Sequence, residues 1–513
     1  MMIDVIVIGS GIGGLSCAAI LARYGFKVLV CESHAIAGGA AQSFERKGFK
    51  FDSGPSLYSG MSYSPSPNPL RQVLDAIGED VEWLNYETWG CCLPEGTFDT
   101  QVGASQFCEV LQRLRGESAV AEWRRLQEIM APLSKAAIAL PPAAVRYDLG
   151  AVLSVGQFLP AVLQHAIGFS KLTGAFAPVM DQVITDPLIR NWLDLLCFLL
   201  SGLPAASTNA AEVAFMFADW YRPDVKLDYP KGGSGAIVDA LVRGLEKQGG
   251  QLRLNAHVEK VLVENQKAIG VRLRNGEELR SRYVVSNASI WDTLKLVDNF
   301  PKRFQAERQA TPTCESFMHL HLGIDAQGLD ALACHHIVVN DWNLGITAPQ
   351  NVVLISIPSL LDPSLAPPGK HAIHVYTPGN EPYAIWQQCD DYEQLKQQRS
   401  VVMWNALERV IPDIRSRTEL TLIGTPLTHE RYLRRHRGTY GAAIRATDGL
   451  FPGAMTPISR LLCCGDSTFP GIGLPAVAAS GMIAANTIAP LGKHLELLKQ
   501  IRGIRHYSEQ TAE

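Results

Sequence analysis

A glycine-rich turn near the start of the chain carries the residues best suited to chemistry. Gly9-Ser10-Gly11-Ile12-Gly13-Gly14 contains the spacing Gly-x-Gly-x-x-Gly, and Glu32 follows about twenty residues later. In this spacing Gly9 permits a tight turn, Gly11 lets the backbone approach a pyrophosphate, and Gly14 lets helix and strand pack closely. An acid at Glu32 accepts hydrogen bonds from ribose hydroxyls and repels a 2′-phosphate, which disfavours NADP. The pattern predicts an adenine dinucleotide site.

Apolar runs on both sides of this turn predict the elements that position it. Ile3–Ile8 is typical of a buried strand, Ile12–Tyr24 of a helix that stops at Gly25, and Lys27–Cys31 of a second strand. Parallel strands joined by a helix form a right-handed βαβ unit. Its helix N-terminus presents N–H groups and a partial positive charge to the phosphates. A glycine turn in a plain βαβ unit is the alternative interpretation.

Two further features favour FAD over NAD. Gly38-Gly39 provides a second place where backbone can approach a dinucleotide closely. Asp466 follows an apolar strand and precedes a loop and a small-residue helix. It can therefore accept hydrogen bonds from ribityl hydroxyls while that helix points its N-terminus at the flavin ring; a helix cap is its alternative role. The predicted FAD-contacting residues are Gly9, Gly11, Gly13, Gly14, Glu32, Gly38, Gly39, Val258, Gly465, Asp466, Gly473, Pro475 and Ala476.

Two later segments resemble the N-terminal unit, because each combines predicted strands and a helix with a glycine-containing loop. Near Asn275-Gly276 the pattern predicts a hairpin with a type I′ turn, which Asn-Gly favours. The last segment, Leu461 to Ile488, is expected to form a strand, a glycine- and proline-bearing loop and a helix. The other predicted elements are a helix over Ala236–Lys247 and strands over Gln251–Leu254, Val258–Glu264, Ala268–Arg274 and Glu278–Ser286.

These segments predict an α/β fold. A chain of 513 residues is too long for one simple core. We expect a Rossmann-like FAD-binding domain of the glutathione-reductase/amine-oxidase type, with an α+β substrate domain formed by insertions. The predicted boundaries are 1–60, 226–290 and 455–490 for the FAD-binding domain, 61–225 and 291–454 for the substrate and membrane-facing domain, and 491–513 for a C-terminal helix and tail.

Composition narrows the class of protein further. The net charge of -4 does not suggest nucleic acid as a partner. The 11 cysteines show no CxxC pair or metal spacing, which favours a reduced, intracellular compartment. A strand begins almost at the N-terminus and leaves no room for a targeting segment. We therefore expect a cytoplasmic bacterial protein with peripheral membrane contact, or a plastid protein whose transit peptide has been removed. The sequence does not predict its oligomeric state.

Two pairs of histidines are candidate metal ligands. His319-Leu320-His321 alternates like a strand, so both imidazoles are expected to face one side, while His335-His336 is an adjacent pair. A zinc site takes three or four protein ligands, and no third ligand is evident in the sequence beside either pair. No metal is therefore predicted.

Seven motifs, in order along nearly the whole chain, resemble one family of proteins. They are Phe51-Asp52-Ser53-Gly54-Pro55, Ser286-Asn287-Ala288-Ser289-Ile290-Trp291-Asp292-Thr293, Ser356-Ile357-Pro358-Ser359, Ser364-Leu365-Ala366-Pro367, Gly424-Thr425-Pro426-Leu427-Thr428-His429, Arg437-Gly438-Thr439-Tyr440-Gly441 and Gly465-Asp466-Ser467-Thr468-Phe469-Pro470-Gly471. The first and last resemble phytoene-desaturase-type flavoproteins, and the others more closely resemble the carotenoid isomerases that act on poly-cis lycopene. The resemblance implies an FAD-dependent carotenoid cis–trans isomerase with a carotenoid or related isoprenoid as substrate.

One motif departs from the isomerase pattern. In Gly471-Ile472-Gly473-Leu474-Pro475-Ala476-Val477 the isomerases tend to have Gln-Gly after Pro-Gly and lack the proline, so Pro475 resembles the desaturases. A desaturase or saturase acting on the same class of polyene is therefore the alternative. From another class, the chain could be a non-catalytic carrier of flavin and isoprenoid. Tyr440 is the candidate catalytic residue, and a buried structural tyrosine is its alternative role.

A carotenoid substrate implies contact with a membrane, because each CH₂ moved from lipid to water costs ~0.8 kcal/mol. The candidate docking segments are Leu149–Ser170, Leu195–Leu203 and His494–Arg505, for which packing into the protein is the alternative. The first contains no charged residue, but Pro160 and glycines interrupt it, so a spanning helix is disfavoured. The basic run Arg434-Arg435-His436-Arg437 suits a phosphate, a lipid face or a solvated surface.

Overall fold

The computed structural model describes residues 3–54, 56–221 and 225–511. Pro55 and the side chains of Arg502, Ile504 and Arg505, which belong to segments discussed above, lie outside the described part. The helices are α1 Ile12–Arg23, α2 Pro69–Ile77, α3 Ala104–Arg115, α4 Glu117–Ala139, α5 Ala151–Gly156, α6 Leu159–Gln164, α7 Ala166–Leu172, α8 Ala177–Met180, α9 Pro187–Ser201, α10 Ala210–Trp220, α11 Gly235–Lys247, α12 Ile290–Lys295, α13 Lys302–Gln309, α14 Tyr383–Gln387, α15 Tyr392–Val410, α16 Ile414–Arg417, α17 Pro426–Leu433, α18 Leu474–Ile488 and α19 Leu491–Thr511.

The strands alternate with these helices along the chain. They are β1 Ile3–Ile8, β2 Val28–Cys31, β3 Ser43–Arg46, β4 Phe49–Asp52, β5 Tyr58–Ser59, β6 Trp83–Tyr86, β7 Thr88–Leu93, β8 Gly96–Gln101, β9 Leu227–Pro230, β10 Gln251–Arg253, β11 Val258–Glu264, β12 Lys267–Leu273, β13 Glu278–Ser286, β14 Ser316–Asp325, β15 His335–Val339, β16 Val352–Ser356, β17 Lys370–Glu381, β18 Thr418–Gly424 and β19 Leu461–Cys463.

One large sheet unites three distant parts of the chain. Its parallel strands lie in the order β10-β2-β1-β13-β19, and β12 and β11 extend it as an antiparallel flap from β13. The N-terminal βαβ unit supplies β1 and β2, the middle segment supplies β10 and β13, and the C-terminal segment supplies β19. The prediction that three separated pieces meet at one sheet is thus confirmed at the level of strands. The domain boundaries themselves stay a prediction.

The second large sheet is built from the two insertions. Its strand order is β18-β14-β17-β16-β15-β7-β8, antiparallel except for the pair β15 and β7. Strands β14 and β17 are buried along almost their whole length, because other layers cover both faces of the sheet. Small sheets of β3 with β4, and of β5, β9 and β6, connect the two large sheets.

The predicted N-terminal unit is confirmed to within one residue at each element. β1 has the predicted bounds, α1 ends at Arg23, and β2 begins at Val28. Every residue from Ile12 to Ala22 is buried, which explains why this helix contains only small and apolar side chains. Gly25 follows it with a φ of 92°, a conformation that favours glycine.

The predicted hairpin after β12 is present, but its turn is not of type I′. A type I′ turn requires a positive φ at both central residues, whereas Gly276 has a φ of 87° and Asn275 is not among the residues with positive φ. The N–H of Gly276 donates to the carbonyl of Leu273 at 2.9 Å, and the N–H of Leu273 donates to Glu277 at 2.8 Å. The loop is therefore one residue longer than predicted, with glycine at its left-handed position.

The charge-free segment Leu149–Ser170 folds as the short helices α5, α6 and part of α7. Within the described part of the chain, no helix has both the length and the apolar character that crossing a bilayer requires. The proline and glycines that interrupt the segment account for its division into short helices.

Candidate functional site

A large cavity lies at the carboxyl edge of the parallel sheet. Its volume is about 1070 Å³, and its wall includes residues at the ends of β1, β2, β13 and β19, namely Gly9, Glu32, Asn287 and Gly465. Ligands of open α/β sheets bind at this edge. The remaining wall comes from the insertions, so one cavity is shared by the two large sheets.

The glycine turn forms one end of the cavity. Gly9 has a φ of 90°, so a side chain there would be strained. A Cβ on Gly11 would lie 2.8 Å from Nδ2 of Asn287, and a Cβ on Gly14 would lie 2.2 Å from the carbonyl oxygen of Gly9. The positive φ at Gly9 and the backbone contact at Gly14 therefore favour glycine strongly, and a side chain at Gly11 would have to displace the Asn287 amide. Gly14 packs helix against strand as predicted and does not line the cavity.

Gly13 serves a purpose that its place in the turn did not reveal. A Cβ there would lie 2.7 Å from Oδ1 of Asn287 and 3.0 Å from the carbonyl oxygen of Val477 at the start of α18. Gly481 lies one turn further along α18, and a Cβ there would be 2.2 Å from the Gly13 carbonyl oxygen. The glycines thus let α1 and α18 approach until their backbones touch.

Glu32 is held by the glycine turn itself. One carboxylate oxygen accepts hydrogen bonds from the Ser10 N–H at 2.8 Å and the Ser10 hydroxyl at 2.6 Å. The other accepts from the His34 N–H at 2.8 Å. Both Glu32 and Ser10 are buried at the cavity wall, which fixes the carboxylate at the end of β2. Its position agrees with the predicted ribose-binding role.

Gly38 and Gly39 lie directly against the glycine turn. Gly38 forms a parallel bridge with Gly11, its N–H donates to the carbonyl of Ser10 at 3.1 Å, and both glycines have positive φ. Both line the cavity. The backbone at Gly38 and Gly39 therefore lies beside the glycine turn, where it could approach a dinucleotide closely.

The C-terminal loop forms the neighbouring part of the wall. Gly465, Asp466, Gly473, Pro475 and Ala476 all line the cavity. Helix α18 begins only after Gly473, so the alternative role of Asp466 as a helix cap is excluded. Instead the Asp466 carboxylate pairs with the guanidinium of Arg435.

Val258 completes the predicted set. It is buried at the start of β11 and lines the cavity beside the sheet edge. The structure therefore brings twelve of the thirteen predicted positions to one wall, and Gly14 lies directly behind it.

These features fit a bound FAD. The N-terminus of α1 has no side-chain cap and no acidic residue in its first turn, so its N–H groups remain available to a pyrophosphate. The glycine cradle would be filled by any Cβ, and the Glu32 carboxylate lies where ribose hydroxyls would need an acceptor. Backbone donors, glycine space and an acid therefore meet in the arrangement that a flavin dinucleotide requires.

The opposite wall is mainly apolar. Side chains from α7, α9 and α10 line it together with Phe317 on β14 and Tyr376 on β17, including Phe169, Leu172, Leu199, Leu200, Phe215 and Met216. Such a surface suits a long hydrocarbon, because burial of apolar area is its main source of binding free energy.

Tyr440, the candidate catalytic residue, lines the cavity on this wall. Its hydroxyl donates to the carbonyl of Leu199 at 3.1 Å, and its ring meets Phe317 edge-on with centroids 5.1 Å apart. Burial raises the pKa of Tyr440 above its usual range, so the phenol stays neutral. The hydrogen bond to a backbone carbonyl gives the residue a structural role in addition to its place at the cavity.

Four buried histidines cluster at the same wall, where His319 and His429 line the cavity and His321 and His374 lie behind them. His319 and His321 face one side of β14, as predicted, and their rings are nearly parallel. Nδ1 of His319 is 2.7 Å from Nε2 of His374, and Nε2 of His319 is hydrogen-bonded to Nε2 of His429. His321 donates from Nε2 to the backbone carbonyl of Asp52 at 3.0 Å.

Burial keeps this cluster neutral. It lowers the pKa of His321 to about 4 and that of His429 to about 3, and the pKa values of His319 and His374 fall well below the usual range. Nδ1 of His374 is buried without a partner among the described residues. The cluster is therefore a hydrogen-bonded row of neutral imidazoles.

The sequence shows no third ligand beside the His319–His321 pair, but the folded chain brings one there, so this expectation is wrong. His374 on β17 brings a third nitrogen within 4.8 Å of the other two. However, both His319 nitrogens already form short hydrogen bonds, whereas nitrogens that share a zinc ion at ~2.1 Å lie roughly 3.3 Å apart. The structure therefore favours N–H···N bonding, and the absence of a metal stays a prediction.

The basic run has mixed surroundings. Arg434 and Arg435 line the cavity, and Arg435 pairs with Asp466. His436 stacks on Trp291 with ring centroids 5.1 Å apart. Arg437 is exposed. Part of the run is therefore exposed to solvent, as one of the sequence-based alternatives held, and part lines the cavity, which the sequence did not predict.

In two of the three candidate docking segments, the large apolar side chains that the structure describes are mostly buried. Leu195, Leu196 and Phe198 on α9 are fully buried, and Leu498 and Ile501 on α19 are buried as well. By contrast the segment around α5 and α6 exposes a row of apolar side chains. Their exposed fractions are 94% for Leu149, 75% for Val152, 61% for Leu153, 52% for Leu159 and 64% for Leu163.

Sequence reasoning missed several residues that shape the site. Asn287 was noted only as part of a motif, yet it packs beneath the whole glycine turn. Glu212 was not considered, although it lines the cavity as an acid on a mainly apolar wall. The alternation of β14 pointed to His319 and His321, but only the strand register, which sets His321 opposite His374, reveals the third histidine.

Comparisons with known proteins agree with this geometry. Residues 12–489 match the family described as flavin containing amine oxidoreductase. The chain is 34% identical over 497 residues to the chloroplastic prolycopene isomerase of Daucus carota, covering 95% of this chain and 80% of that protein. It is 26% identical to the neurosporene-forming phytoene desaturase of Cereibacter sphaeroides, covering 94% of each.

A solved structure supports the fold. The crystal structure of an oxidoreductase from Methanosarcina mazei superimposes with a TM-score of 0.63 at 20% identity, covering 94% of this chain and 99% of that one. The predicted α/β class, with a Rossmann-like FAD-binding part of the amine-oxidase type and an inserted substrate part, is thereby confirmed.

Proposed function

This chain belongs to the flavin-containing amine oxidoreductase family, as an FAD-dependent enzyme of the carotenoid isomerase and desaturase type, and from that premise we propose that it is a carotenoid cis–trans isomerase. The substrate would be a poly-cis carotene or a closely related polyene. The observation that carries the proposal is the single cavity with a glycine-built nucleotide wall on one side and an apolar wall on the other.

The residues of the nucleotide wall would each hold part of the cofactor. The α1 N-terminus with Gly9 and Gly11 would bind the pyrophosphate, Glu32 the adenosine ribose, and Asp466 the ribityl chain. Bound FAD supplies a reversible store of electrons beside the substrate. Arg435 orients Asp466 through their ion pair, because the guanidinium is itself fixed by donating to the carbonyls of Thr439 at 2.8 Å and Tyr440 at 2.7 Å.

The residues of the apolar wall would bind and orient the polyene. The wall offers hydrocarbon contact over most of its area and few polar side chains, so it would exclude water from the conjugated chain. The neutral histidines at this wall add no charge to it at neutral pH.

Pro475 supports a second candidate, a desaturase or saturase of the same polyene class. It lies in the first turn of α18 and lines the cavity, next to where the flavin ring would bind. The isomerases resembled by this chain lack a proline there, whereas the desaturases have one. The assay below separates the two reactions.

We further propose that the exposed apolar row from Leu149 to Leu163, which we call the α5–α6 patch, contacts the membrane. Leu140, Val145, Phe169 and Leu172, which precede and follow it in the chain, line the cavity. A substrate that cannot leave the bilayer freely would then pass from lipid to cavity beside this patch.

An anaerobic assay in two cofactor redox states tests the proposed reaction. Poly-cis lycopene in liposomes is incubated with photoreduced enzyme and, separately, with oxidised enzyme, and the products are resolved by chromatography. We expect conversion to more trans isomers of unchanged mass with the reduced enzyme alone. Isomerisation needs no net electron acceptor, whereas desaturation consumes one oxidised equivalent per double bond formed.

Each other outcome assigns a different function. A product lighter by two hydrogens, formed with oxidised enzyme, would favour the desaturase, and a heavier product formed with reduced enzyme would favour the saturase. Saturable binding of FAD and polyene without any turnover would favour a carrier. An unchanged isomer profile with both enzyme forms would contradict the isomerase proposal.

A further inference from the structure

One acid on the apolar wall stands apart from the other charged groups of the cavity. Glu212 lies in the first turn of α10, and Phe215 and Met216, one turn further along the same face, line the cavity beside it. Leu199 and Leu200 from α9 line the same cavity. Glu212 is half-buried, and its side chain forms part of the cavity wall.

No donor or cation among the described residues reaches the Glu212 carboxylate. The other acids that line the cavity are all engaged, Glu32 by Ser10, Asp219 by Tyr63, Glu259 by Arg272, Asp292 by Lys295, Glu430 by Tyr383 and Asp466 by Arg435. An acid that is left without a partner in an apolar wall costs stability when charged, and such groups cluster at functional sites.

The surroundings favour the protonated acid. Burial raises the pKa of Glu212 to about 7. The titratable groups that interact with it are Tyr440, Cys314 and Cys197, and burial raises the pKa of each of these, so all three are neutral near pH 7. Among the residues that the structure describes, no cation offsets the charge of an ionised Glu212, and a substantial fraction of this acid carries its proton at physiological pH.

We propose that Glu212 is the proton donor and acceptor of the isomerisation. The proposal rests on the proposed function. The carboxylic acid gives its proton to one carbon of the polyene, whose π electron pair forms the new C–H bond. The resulting cation is delocalised along the conjugated chain, where an electron-rich reduced flavin on the facing wall would stabilise its positive charge, and the former double bond rotates as a single bond. The Glu212 carboxylate then removes a proton from the same carbon, the π bond re-forms, and no electrons are gained or lost.

The other candidate groups on this wall are less suited to that step. The Tyr440 hydroxyl donates to the carbonyl of Leu199, and burial holds the phenol neutral and weakly acidic. His319 and His429 are bonded to each other, and their lowered pKa values leave them without a proton to give near pH 7. A general acid is most effective when its pKa lies near the working pH, which Glu212 alone satisfies among these groups.

The test compares Glu212→Gln with Asp194→Asn in the FAD-loaded enzyme. Glutamine keeps the shape of the side chain and removes its acidic proton. Asp194, on the neighbouring helix α9, also has a pKa raised by burial, but its carboxylate accepts the Ala205 N–H at 2.8 Å and does not line the cavity. We expect Glu212→Gln to lower the rate of anaerobic isomerisation by about 10²- to 10⁴-fold, with FAD content and polyene binding unchanged. Asp194→Asn should retain the wild-type rate.

Two pH-dependent readouts accompany the rates. The wild-type rate should fall as pH rises through about 7, because only the protonated acid can donate. In the oxidised holoenzyme without substrate, infrared difference spectra should show a carboxylic acid band that titrates near the same pH and is missing from Glu212→Gln. The infrared band reports the protonation of Glu212, and the pH dependence of the rate links that proton to turnover; a merely structural role would leave the rate without a change at the pH where the band titrates.

The failure of this proposal is distinguishable from the failure of the proposed function. An active wild type with an equally active Glu212→Gln variant, or a rate that rises through pH 7, would overturn the role of Glu212 and leave the isomerase in place. A wild type that isomerises nothing in either redox state would overturn both, whatever the infrared band shows.

Discussion

The two walls of the cavity are built on different physical principles. The nucleotide wall consists largely of backbone, held in place by glycines at which any Cβ would meet Asn287 or the carbonyl of Gly9. The apolar wall consists of side chains from helices and strands that are far apart in sequence, such as α10 and β14. The first wall is rigid and specific for one ligand shape. The second is adaptable, and its chemistry depends on a few buried titratable groups.

This difference teaches where each kind of change should act. A substitution in the nucleotide wall meets backbone that cannot move, so it should affect folding and FAD affinity together. A substitution in the apolar wall meets side chains that can rearrange, so it should affect turnover or pH dependence more than stability.

The substitution expected to disrupt the nucleotide wall most is Gly14→Ala. The added Cβ would lie 2.2 Å from the Gly9 carbonyl oxygen, and neither backbone segment can yield. We expect a loss of about 3 kcal/mol in the free energy of unfolding, with purified protein largely free of FAD. Chemical denaturation and the flavin absorbance per chain measure the two effects.

Gly492→Ala is the matched control for this change. Gly492 also lies in a helix, α19, but a Cβ there would have no neighbour within 4 Å. This variant should keep its FAD and its stability. A Gly14→Ala protein as stable and as yellow as the control would contradict the close packing of helix and strand.

A milder change to the same wall is Glu32→Gln. The new amide group would turn N–H donors towards either Ser10 or His34, whose own N–H groups now donate to the carboxylate. The loss of these charge-assisted bonds should weaken FAD binding by about 100-fold, or ~2.7 kcal/mol. Calorimetric titration of flavin-free protein measures it, and Glu45→Gln on exposed β3 serves as control. Equal affinity in both variants would remove Glu32 from the site.

The apolar wall should respond to acid instead. The four clustered histidines have folded pKa values below 6.5, so their stabilising contribution is complete above pH 6.5 and is lost as pH falls towards those values. Each should contribute about 1.4 kcal/mol of destabilisation per pH unit in that window. Urea unfolding at pH 7, 6 and 5 measures the slope.

The variant His321→Gln sharpens this test. Its amide nitrogen can still donate to the Asp52 carbonyl that Nε2 of His321 now contacts, but it cannot titrate. The slope of stability against pH should become shallower below pH 6.5. Identical slopes for wild type and variant would show that the cluster is not kept neutral by folding.

The smallest expected effect concerns the surface beside the apolar wall. Replacing Leu153 and Leu163 in the α5–α6 patch by serine should reduce liposome flotation by roughly tenfold, because each leucine would lose part of its ~1 kcal/mol of burial in lipid. Leu344, with an exposed fraction of 62%, lies outside this patch, and Leu344→Ser is the control. Equal flotation of all three proteins would contradict docking through the patch.

The two walls also differ in how far the sequence predicted them. The nucleotide wall was predicted almost residue by residue, because its signals are local: a glycine spacing next to a strand, and an acid at the end of the next one. The predicted type of the hairpin turn at Asn275 was wrong. A three-residue loop that ends in glycine and a two-residue type I′ turn can both contain Asn-Gly, so the dipeptide does not distinguish them.

The apolar wall was predicted only in character. His374 joins His319 and His321 through the register of β17 against β14, which no local pattern contains. Glu212 is one acid on an otherwise apolar helix, and its meaning depends on the cavity that it faces. Likewise the apolar residues of α9 resembled a docking surface, whereas tertiary packing places Leu195, Leu196 and Phe198 in the core.

The central claim is that one cavity holds the flavin against one wall and the polyene against the other. The most direct measurement is a dark, anaerobic titration of the oxidised holoenzyme with poly-cis lycopene, followed through the flavin absorption band. The account predicts one FAD per chain and a saturable change in that band that ends at one polyene per flavin. Protein that binds no FAD after reconstitution, or polyene binding that saturates without any change in the flavin spectrum, would contradict it.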